Sequence, residues 1–245
     1  IEGLTESARK HGVKFGIWIE PEMTNTRSEL YEKHPDWVIQ QPYRENRKGR
    51  GGTQQVLDLS NPAVQEFVFG VVDRLMTAHP DIAYIKWDDN MTLYNYGSTF
   101  LPADRQSHLY IEYHRGMDKV LREVVAMRKP LLGICLGCQI LLERSEENDT
   151  AALGIVPGEC RRFRPEWRDG DEPIRIPHMG WNTLDVIRPS VLLEGVEPGA
   201  RFYFVHSYYT EPAQELVIAT SHYGREFTAM YGRPGLWAVQ FHPEK

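Results

Sequence analysis

A chain of 245 residues, of which 41% are hydrophobic, is long enough for one large α/β domain or two small ones. Its net charge of -6 comes from interspersed acids and bases, which excludes an electrostatic footprint for nucleic acid. The three cysteines, Cys135, Cys138 and Cys160, are too few and too clustered for a disulfide framework, and no apolar run approaches the roughly 20 residues of a membrane helix. We therefore predict a soluble, cytoplasmic protein that contacts neither nucleic acid nor membrane.

The first half of the chain alternates predicted helices and strands. It begins without Met in a helix over 1–12, typical of an excerpt from a longer domain, and continues into a strand over 13–20. The later elements are a strand over 55–59, a helix from the cap Ser60-Asn61-Pro62 to about 78, a strand over 82–88 and a helix over about 104–127. Strands separated by helices predict parallel pairing through crossover connections.

The second half opens in the same way, with a strand over 130–134, a sharp Cys-Leu-Gly turn and a helix over 139–147. Shorter β segments are then predicted at 161–164, 182–187, 201–206, 216–221, 226–231 and 236–241. No internal repeat or low-complexity linker separates the halves. The join near 125–129 is therefore expected inside a packed α/β unit.

A cation, an indole and two acids end the third strand, in the segment YIKWDDN at 84–90. Such a grouping is costly unless the strand end faces a polar cleft, which is where ligands bind in parallel α/β folds. The segment YIKWDDN resembles family 36 α-galactosidases. The same resemblance extends to KFGIWIEPE at 14–22, HPDWVI at 34–39, VLDLSNP at 56–62 and DRQSHLYIEYHRG at 104–116. The resemblance covers roughly residues 1–125.

This resemblance implies a retaining glycosidase on a TIM barrel. Asp88 matches the carboxylate nucleophile, Lys86 and Trp18 match residues that line the sugar site, and Arg50 is a looser match. A retaining glycosidase also needs a second carboxyl group about 5 Å from the nucleophile. In the family that acid comes from a later barrel strand.

The barrel pattern here stops after the helix that follows Asp88. The adjacent Asp89 should project to the opposite side of the strand, and Glu20 and Glu22, near the same rim, match no known acid/base position. We therefore predict that Asp88 carries no chemistry and that galactosides are not substrates.

The second candidate site consists of a thiol, an imidazole and a carboxylate. GICLGCQ at 133–139 places Cys135 on a tight strand-to-helix turn between glycines, typical of a nucleophile elbow, where the helix N-terminus is expected to stabilise a thiolate. VQFHPE at 239–244 places His242 and Glu244 on one face if extended, so that the carboxylate orients the imidazole that takes the thiol proton. Taken alone, Cys135-x-x-Cys138 also fits a redox pair or half a zinc site.

Residues 130–245 resemble the glutaminase subunit of imidazole glycerol phosphate synthase, a class I glutamine amidotransferase, through PLLGICLG, LGIVPGECRRF, IPHMGWN, FYFVHSYY and VQFHPEK. The family implies that Cys135 attacks the glutamine amide, that His242 is the base and that Glu244 orients it. Ammonia would pass to a partner cyclase subunit, and no cofactor or metal is implied. The substrate would be held by Gln139, Ser207, Tyr208 and the backbone N–H of Leu136.

Two departures from this family stand out. Cys138 replaces the usual Met, and we expect a second buried thiol there rather than a metal ligand. The family's N-terminal third, with the glycine-rich oxyanion strand, is absent, and α-galactosidase sequence occupies its place. Loss of an oxyanion donor costs about 3 to 4 kcal/mol of transition-state stabilisation, so turnover should fall by orders of magnitude.

We therefore predict an α/β chimera, artificial or spliced, whose halves share one hybrid parallel βα sheet. Residues 1–127 would be a fragment of the barrel, and residues 128–245 a flavodoxin-like amidotransferase core with additional β segments. In one sheet the strand at 82–87 would pair beside that at 131–134, and Asp88 and Cys135 would share a rim where the carboxylate opposes thiolate formation. The vestigial function would be glutamine hydrolysis, with a working α-galactosidase and a non-enzymatic scaffold as alternatives.

Overall fold

The computed structural model describes residues 1–41, 43–46, 49–88, 93 and 95–245. These residues form two compact units, Ile1–Met127 (unit 1) and Arg128–Lys245 (unit 2). In the part of the chain so described, no helix is long and apolar enough to cross a membrane.

Unit 1 consists of helices and short strands in alternation. In chain order its elements are α1 (Glu2–Lys10), β1 (Phe15–Ile19), β2 (Met23–Asn25), α2 (Glu29–Lys33), β3 (Gln54–Val56), α3 (Pro62–Ala78), β4 (Ile82–Trp87) and α4 (Leu109–Ala126). A 3-10 helix over Ala103–His108 precedes α4, so the first turns of the helix predicted from 104 are wound more tightly.

The strands of unit 1 pair in both directions. β1 and β4 lie parallel, with Trp18 opposite Lys86 and Ile19 opposite Trp87, as the alternation of strand and helix predicts. β2 and β3 are antiparallel, contrary to that expectation. The chain between them turns back through α2 and irregular segments, without the crossover over the sheet that parallel pairing requires.

The core of unit 1 lies where α3 and α4 meet the segment before them. Asn61 caps α3 by accepting from the Ala63 N–H, and Pro62 occupies the first turn, as the sequence predicts. Gly116 lets α4 approach closely, because a Cβ there would lie 1.9 Å from the Leu59 carbonyl oxygen. The buried residues of this core are Val38, Ile39, Val56, Leu57, Leu59, Val64, Val68, Leu109, Tyr113 and Val120.

Unit 2 is mainly β structure. Its elements are β5 (Leu131–Ile134), α5 (Leu136–Ile140), β6 (Arg144–Ser145), β7 (Thr150–Ala151), β8 (Gly158–Arg162), β9 (Arg168–Asp169), β10 (Glu172–Pro173), β11 (His178–Thr183), β12 (Asp185–Val186), β13 (Arg201–His206), β14 (Tyr208–Pro212), β15 (Val217–His222), β16 (Glu226–Arg233) and β17 (Leu236–Val239).

A mixed sheet organises unit 2. Within the described residues it has nine strands, in the order β12-β15-β16-β14-β8-β6-β7, with β17 beside β16 and β5 parallel to β17. β11 and β13 form a separate antiparallel pair. Phe163 lies at the centre of the core, with its ring near those of His206, Tyr209, Tyr223 and Phe227.

The prediction of one hybrid parallel sheet is wrong. β4 pairs with β1, and β5 pairs with β17, so the two strands expected to be neighbours belong to different sheets. α4 packs on α3 within unit 1, and β5 finds its hydrogen-bonding partner more than 100 residues later along the chain. The join at 125–129 therefore falls at the boundary of two units, and the expectation that Asp88 and Cys135 share a rim loses its basis.

The helix predicted over 139–147 is also displaced. α5 begins at Leu136 and ends at Ile140, because the carbonyl oxygens that would continue it accept hydrogen bonds from the loop at 152–156. Leu153 N–H donates to the Ile140 carbonyl at 2.9 Å, and Gly154 N–H to the Leu142 carbonyl at 2.7 Å. These bonds replace the i to i-4 ladder and turn the chain into β6.

The later β segments were predicted unevenly. The strand at 201–206 has the predicted bounds, whereas β8 begins three residues before the segment predicted from 161. The segment predicted at 182–187 spans the end of β11 and all of β12, and β14 was not predicted. β8 was misplaced because its charged residues, Glu159, Arg161 and Arg162, obscure the two-residue alternation.

Candidate functional site

Asp88 directly follows β4 in unit 1, and its carboxylate is already engaged. Its Oδ2 accepts from Trp18 Nε1 at 3.0 Å and lies 3.9 Å from Lys86 Nζ. The Asp88 backbone N–H donates to the Ile19 carbonyl at 3.1 Å, which continues the parallel ladder. The register between β1 and β4 thus brings the residue matched to the nucleophile together with the two residues predicted to line the sugar site.

The other acidic residues near these strands have partners of their own. Glu20 lies 3.5 Å from Arg50 and accepts from Gln54 Nε2 at 3.2 Å, so Arg50 pairs with Glu20. Glu22 is fully buried and accepts from Trp87 Nε1 at 2.8 Å. Asp89, predicted on the opposite side of the strand, lies outside the described residues, as does Asn90.

Cys135 lies in unit 2 between β5 and α5, on a backbone turn with φ 52° and ψ -108°. A non-glycine residue with positive φ is uncommon and strained, and the nucleophile elbow is a known setting for it. Gly133 permits the tight turn, since a Cβ there would lie 2.6 Å from the Gly137 carbonyl oxygen. Gly133 therefore has a steric role in the turn, whereas a Cβ at Gly137 would meet nothing within 4 Å.

Burial raises the pKa of the Cys135 thiol, and the Glu244 carboxylate raises it further. The backbone N–H of Leu136 lies beside the sulfur and lowers the pKa, but burial is the larger effect. The N-terminus of α5 thus acts on the thiolate in the expected direction, through the Leu136 N–H, but burial outweighs it. α5 has only five residues, and its one favourable N–H does not offset the loss of water around the sulfur.

His242 and Glu244 contact one another after β17. His242 Nδ1 lies 3.0 Å from Glu244 Oε1, and the His242 backbone N–H donates to the Tyr203 carbonyl at 2.9 Å. With Nδ1–H donating to the carboxylate, His242 Nε2 is left as an acceptor. Among the described residues Nε2 is buried and has no hydrogen-bond partner, so the imidazole is not hydrogen-bonded to the thiol.

Gln139 and Tyr208, both predicted to hold substrate, are linked to one another. Gln139 Nε2 donates to the Tyr208 carbonyl at 3.1 Å and to Gln240 Oε1 at 3.0 Å. Ser207 lies at the bend between β13 and β14, where its carbonyl accepts from the Phe163 N–H at 3.1 Å. The Leu136 side chain is exposed.

Several polar residues of this region carried no predicted role. Gln240 is fully buried beside the cysteines, and its partners are Cys135, Cys138 and Gln139. A glutamine between Val239 and Phe241 at the end of a buried strand was the available signal, because buried amides need hydrogen-bond partners.

Two buried histidines extend the polar network. His178 Nδ1 lies 3.1 Å from His206 Nε2, and His206 Nδ1 lies 2.7 Å from the Tyr208 carbonyl oxygen. That carbonyl also accepts from Gln139, so hydrogen bonds run from His178 through His206 to the side chains around Cys135. Neither histidine was singled out in the sequence.

Cys138 is buried, as predicted, and its Sγ–H donates to Gln240 Oε1 at 3.5 Å. Cys160 is buried as well, and burial raises its pKa to about 12. All three cysteines are free thiols.

Two family models match the chain. The Melibiase model matches residues 1–135, and the model for glutamine amidotransferase class-I matches residues 102–245. Each match covers more than half of the chain, and the two overlap across α4 and β5.

Curated relatives match the second region. The imidazole glycerol phosphate synthase subunit HisH of Nitratidesulfovibrio vulgaris is 65% identical over 131 residues, which is 53% of this chain and 62% of the relative. The same subunit of Maridesulfovibrio salexigens is 56% identical over 131 residues, with the same coverage. The chain thus spans about three fifths of the length of these relatives.

Solved structures match the first region. The α-galactosidase from Lactobacillus brevis is 32% identical with a TM-score of 0.47, and the match covers 51% of this chain and 17% of that one. The GH36 α-galactosidase AgaB from Geobacillus stearothermophilus is 36% identical with a TM-score of 0.46, at the same coverage.

Proposed function

Because the chain belongs to the Melibiase family over residues 1–135 and to the class-I glutamine amidotransferase family over residues 102–245, we propose that it is a chimera whose remaining chemistry is slow hydrolysis of the glutamine side-chain amide. Cys135 is the nucleophile, His242 the base and Glu244 the residue that orients the base. The substrate contacts come from Leu136, Gln139, Ser207 and Tyr208.

One observation supports this proposal most directly. Glu244 holds His242 by Nδ1, at 3.0 Å, and leaves the buried Nε2 as an acceptor without a partner in the described residues. A histidine activates a cysteine nucleophile when a carboxylate holds its Nδ1 and its Nε2 is left to accept the thiol proton. The Glu244 carboxylate also acts electrostatically on Cys135, as expected for side chains of one site.

The proposed reaction uses these side chains in two stages. The Cys135 thiol proton moves to His242 Nε2 as the sulfur attacks the amide carbon of glutamine, and the carbonyl oxygen takes up negative charge. The intermediate collapses when the imidazolium returns that proton to the leaving nitrogen, which releases ammonia and leaves a thioester on Cys135. Water, deprotonated by His242, then hydrolyses the thioester to glutamate and the free thiol.

Three features make this reaction slow. Burial raises the pKa of Cys135, so the thiol form dominates at neutral pH. His242 Nε2 must move into hydrogen-bonding range of the sulfur before it can take the proton. The Leu136 N–H lies beside the sulfur. The family's glycine-rich oxyanion strand is missing from the proposed core, and a lost oxyanion donor costs about 3 to 4 kcal/mol of transition-state stabilisation.

The family relationships extend the proposal to fold and partner. Unit 1 is proposed to be a fragment of a TIM barrel, and unit 2 a flavodoxin-like amidotransferase core without its N-terminal third. Since the curated relatives are named as synthase subunits, residual affinity for the cyclase subunit of imidazole glycerol phosphate synthase is part of the proposal. The ammonia would be delivered there.

Ammonia release from glutamine tests the assignment. We expect a low rate in the parent chain, complete loss in Cys135→Ala, and a rate close to the parent's in Cys160→Ala, which removes a buried thiol from β8. Activity that survives in Cys135→Ala would refute the nucleophile. A parent rate equal to the blank without protein would favour the alternative of a non-enzymatic scaffold.

Glycoside hydrolysis is the other enzymatic alternative, and its site is less complete. A retaining mechanism needs a second carboxyl group about 5 Å from the nucleophile, whereas Glu20 and Glu22 are held by Arg50, Gln54 and Trp87. We expect no release of nitrophenol from a nitrophenyl α-galactoside. Turnover that disappears in Asp88→Ala would reverse this assignment.

A further inference from the structure

Gln240 is a fully buried amide whose three polar contacts all lie in the candidate site. Its Nε2 lies 3.9 Å from Cys135 Sγ, and its Oε1 accepts from Gln139 Nε2 at 3.0 Å and from Cys138 Sγ at 3.5 Å. A buried amide is costly without hydrogen-bond partners, so these contacts account for a polar residue in this core.

The two donors to Oε1 fix the direction of the carboxamide. The Tyr208 carbonyl can only accept, so the Gln139 atom that contacts it is the nitrogen, and the Gln240 atom that accepts from that nitrogen must be the oxygen. The Cys138 S–H also donates to this oxygen. The amide nitrogen is then directed at Cys135. Gln139 is itself held, since its Nε2 also donates to the Tyr208 carbonyl at 3.1 Å.

The Cys135 sulfur therefore lies between an acceptor and a donor. As a thiol it donates to the Val205 carbonyl at 4.0 Å and accepts from Gln240 Nε2. Once the proton leaves, the contact with Val205 becomes repulsive, whereas the amide N–H continues to donate to the sulfur. Gln240 thus favours the thiolate of Cys135, which is the form that attacks the substrate.

We propose that Gln240 is a positioning residue for the nucleophile, whose carboxamide holds the Cys135 sulfur and donates a hydrogen bond to its ionised form. The proposal deepens the proposed glutaminase function, on which its catalytic meaning rests. The other groups that act on this sulfur are the Leu136 N–H, the Glu244 carboxylate and the Cys138 thiol.

The test is the pH dependence of Cys135 alkylation by iodoacetamide, with the modified residue identified by mass spectrometry. Gln240→Met keeps an unbranched side chain of similar length and removes both polar atoms. We expect the midpoint of the rate profile to rise by about one pH unit, the size of shift that one hydrogen bond to an ionised group produces. A folded Gln240→Met with the parent's midpoint would overturn the proposal.

Tyr231→Phe is the matched control. The Tyr231 hydroxyl donates to the Cys138 carbonyl, so this variant also removes a buried hydrogen bond to α5 but leaves the Gln240 amide in place. We expect its midpoint to stay at the parent's value. An equal rise in both variants would mean that general loosening of α5 is the cause, and would overturn the proposal.

A measurement on the parent chain covers the case in which Gln240→Met does not fold. The side-chain amide signals of Gln240, observed by NMR with glutamine-selective 15N labelling, should shift with the midpoint found for Cys135 alkylation, and should stay constant with pH in Cys135→Ser. Constant signals in the parent would overturn the proposal. Neither measurement requires glutamine turnover, so a failure of the proposed function is distinguishable from a failure of this one.

Discussion

Both units place a candidate nucleophile just after a parallel strand, but the surroundings differ. Asp88 follows a strand whose one partner among the described residues is β1, and Trp18 and Tyr84 on this pair are 47% and 60% exposed. Cys135 follows a strand joined to a larger sheet, where Gln240 is fully buried. Parallel strands are normally covered on both faces, whereas the partners described for the Asp88 carboxylate, Trp18 and Lys86, are themselves about half exposed.

The cores show the same contrast. The core of unit 1 lies between α3, α4 and the segments at 38–39 and 56–59, and among its buried residues none belongs to β1 or β4 in the described part of the chain. The core of unit 2 includes residues of the sheet itself, such as Ala219, Met230 and Val239. Unit 1 thus folds around its helices, whereas unit 2 folds around the strands that carry its site.

Deleting a core side chain in each unit should have the largest effect. Phe163→Ala removes a ring with close aromatic neighbours and should lower the free energy of unfolding of unit 2 by about 3 to 5 kcal/mol. Leu59→Ala should lower that of unit 1 by about 2 to 5 kcal/mol. Hydrogen exchange followed by mass spectrometry should show lost protection only in the altered unit, and loss in both units would contradict two separate cores.

Acid should destabilise unit 2 more than unit 1. Burial lowers the pKa of His178 to about 4 and that of His206 to about 3, so both stay neutral in the folded chain at pH 5. In the unfolded chain they titrate near 6.5, so the unfolded state binds more protons as pH falls below that value. The free energy of unfolding should therefore fall from about pH 6.5 down to the folded pKa values, by about 2 kcal/mol for each histidine between pH 7.5 and 5.

Urea denaturation of unit 2 at pH 7.5 and pH 5 measures this loss. His206→Asn keeps a side-chain N–H that can donate to the Tyr208 carbonyl but cannot take up a proton in this range, so its pH dependence should be smaller. An equally steep loss in this variant would show that the histidine pair is not the cause.

The smallest effect is expected at the exposed site of unit 1. Trp18→Phe removes the indole donor to Asp88, and we expect a loss below about 1 kcal/mol because water replaces an exposed hydrogen bond. Trp87→Phe makes the same change beside the fully buried Glu22, where we expect about 2 kcal/mol. Thermal unfolding of both variants measures the difference, and equal losses would show that Asp88 is held as firmly as Glu22.

Local signals in the sequence were sufficient for some elements. Asn61 and Pro62 marked the start of α3, because a cap depends on neighbouring residues alone, and β13 has the bounds predicted for it. The contact between His242 and Glu244 followed from their spacing in the same way. α5 ended early because its carbonyl oxygens bond to the loop at 152–156, a competition that no local pattern reveals.

The pairing partners of the strands could not be predicted from local signals in the sequence. β5 pairs with β17 through residues about a hundred positions apart, such as Ile134 and Val239, and the expected pairing with β4 rested on sequence order alone. Gln240 was missed for the same reason. Its place in the site depends on Cys135 and Gln139, which lie 105 and 101 positions away.

The distribution of thiols has a consequence for following unfolding in time. All three cysteines of the sequence lie in unit 2, and the two buried ones, Cys138 and Cys160, are shielded from reagents while that unit is closed. Their rate of modification after Cys135 has been blocked therefore records transient opening of residues 128–245 in the intact chain. Because unit 1 contains no cysteine, its own opening leaves no signal in that record, and the lifetimes of the two units can be separated without cutting the chain.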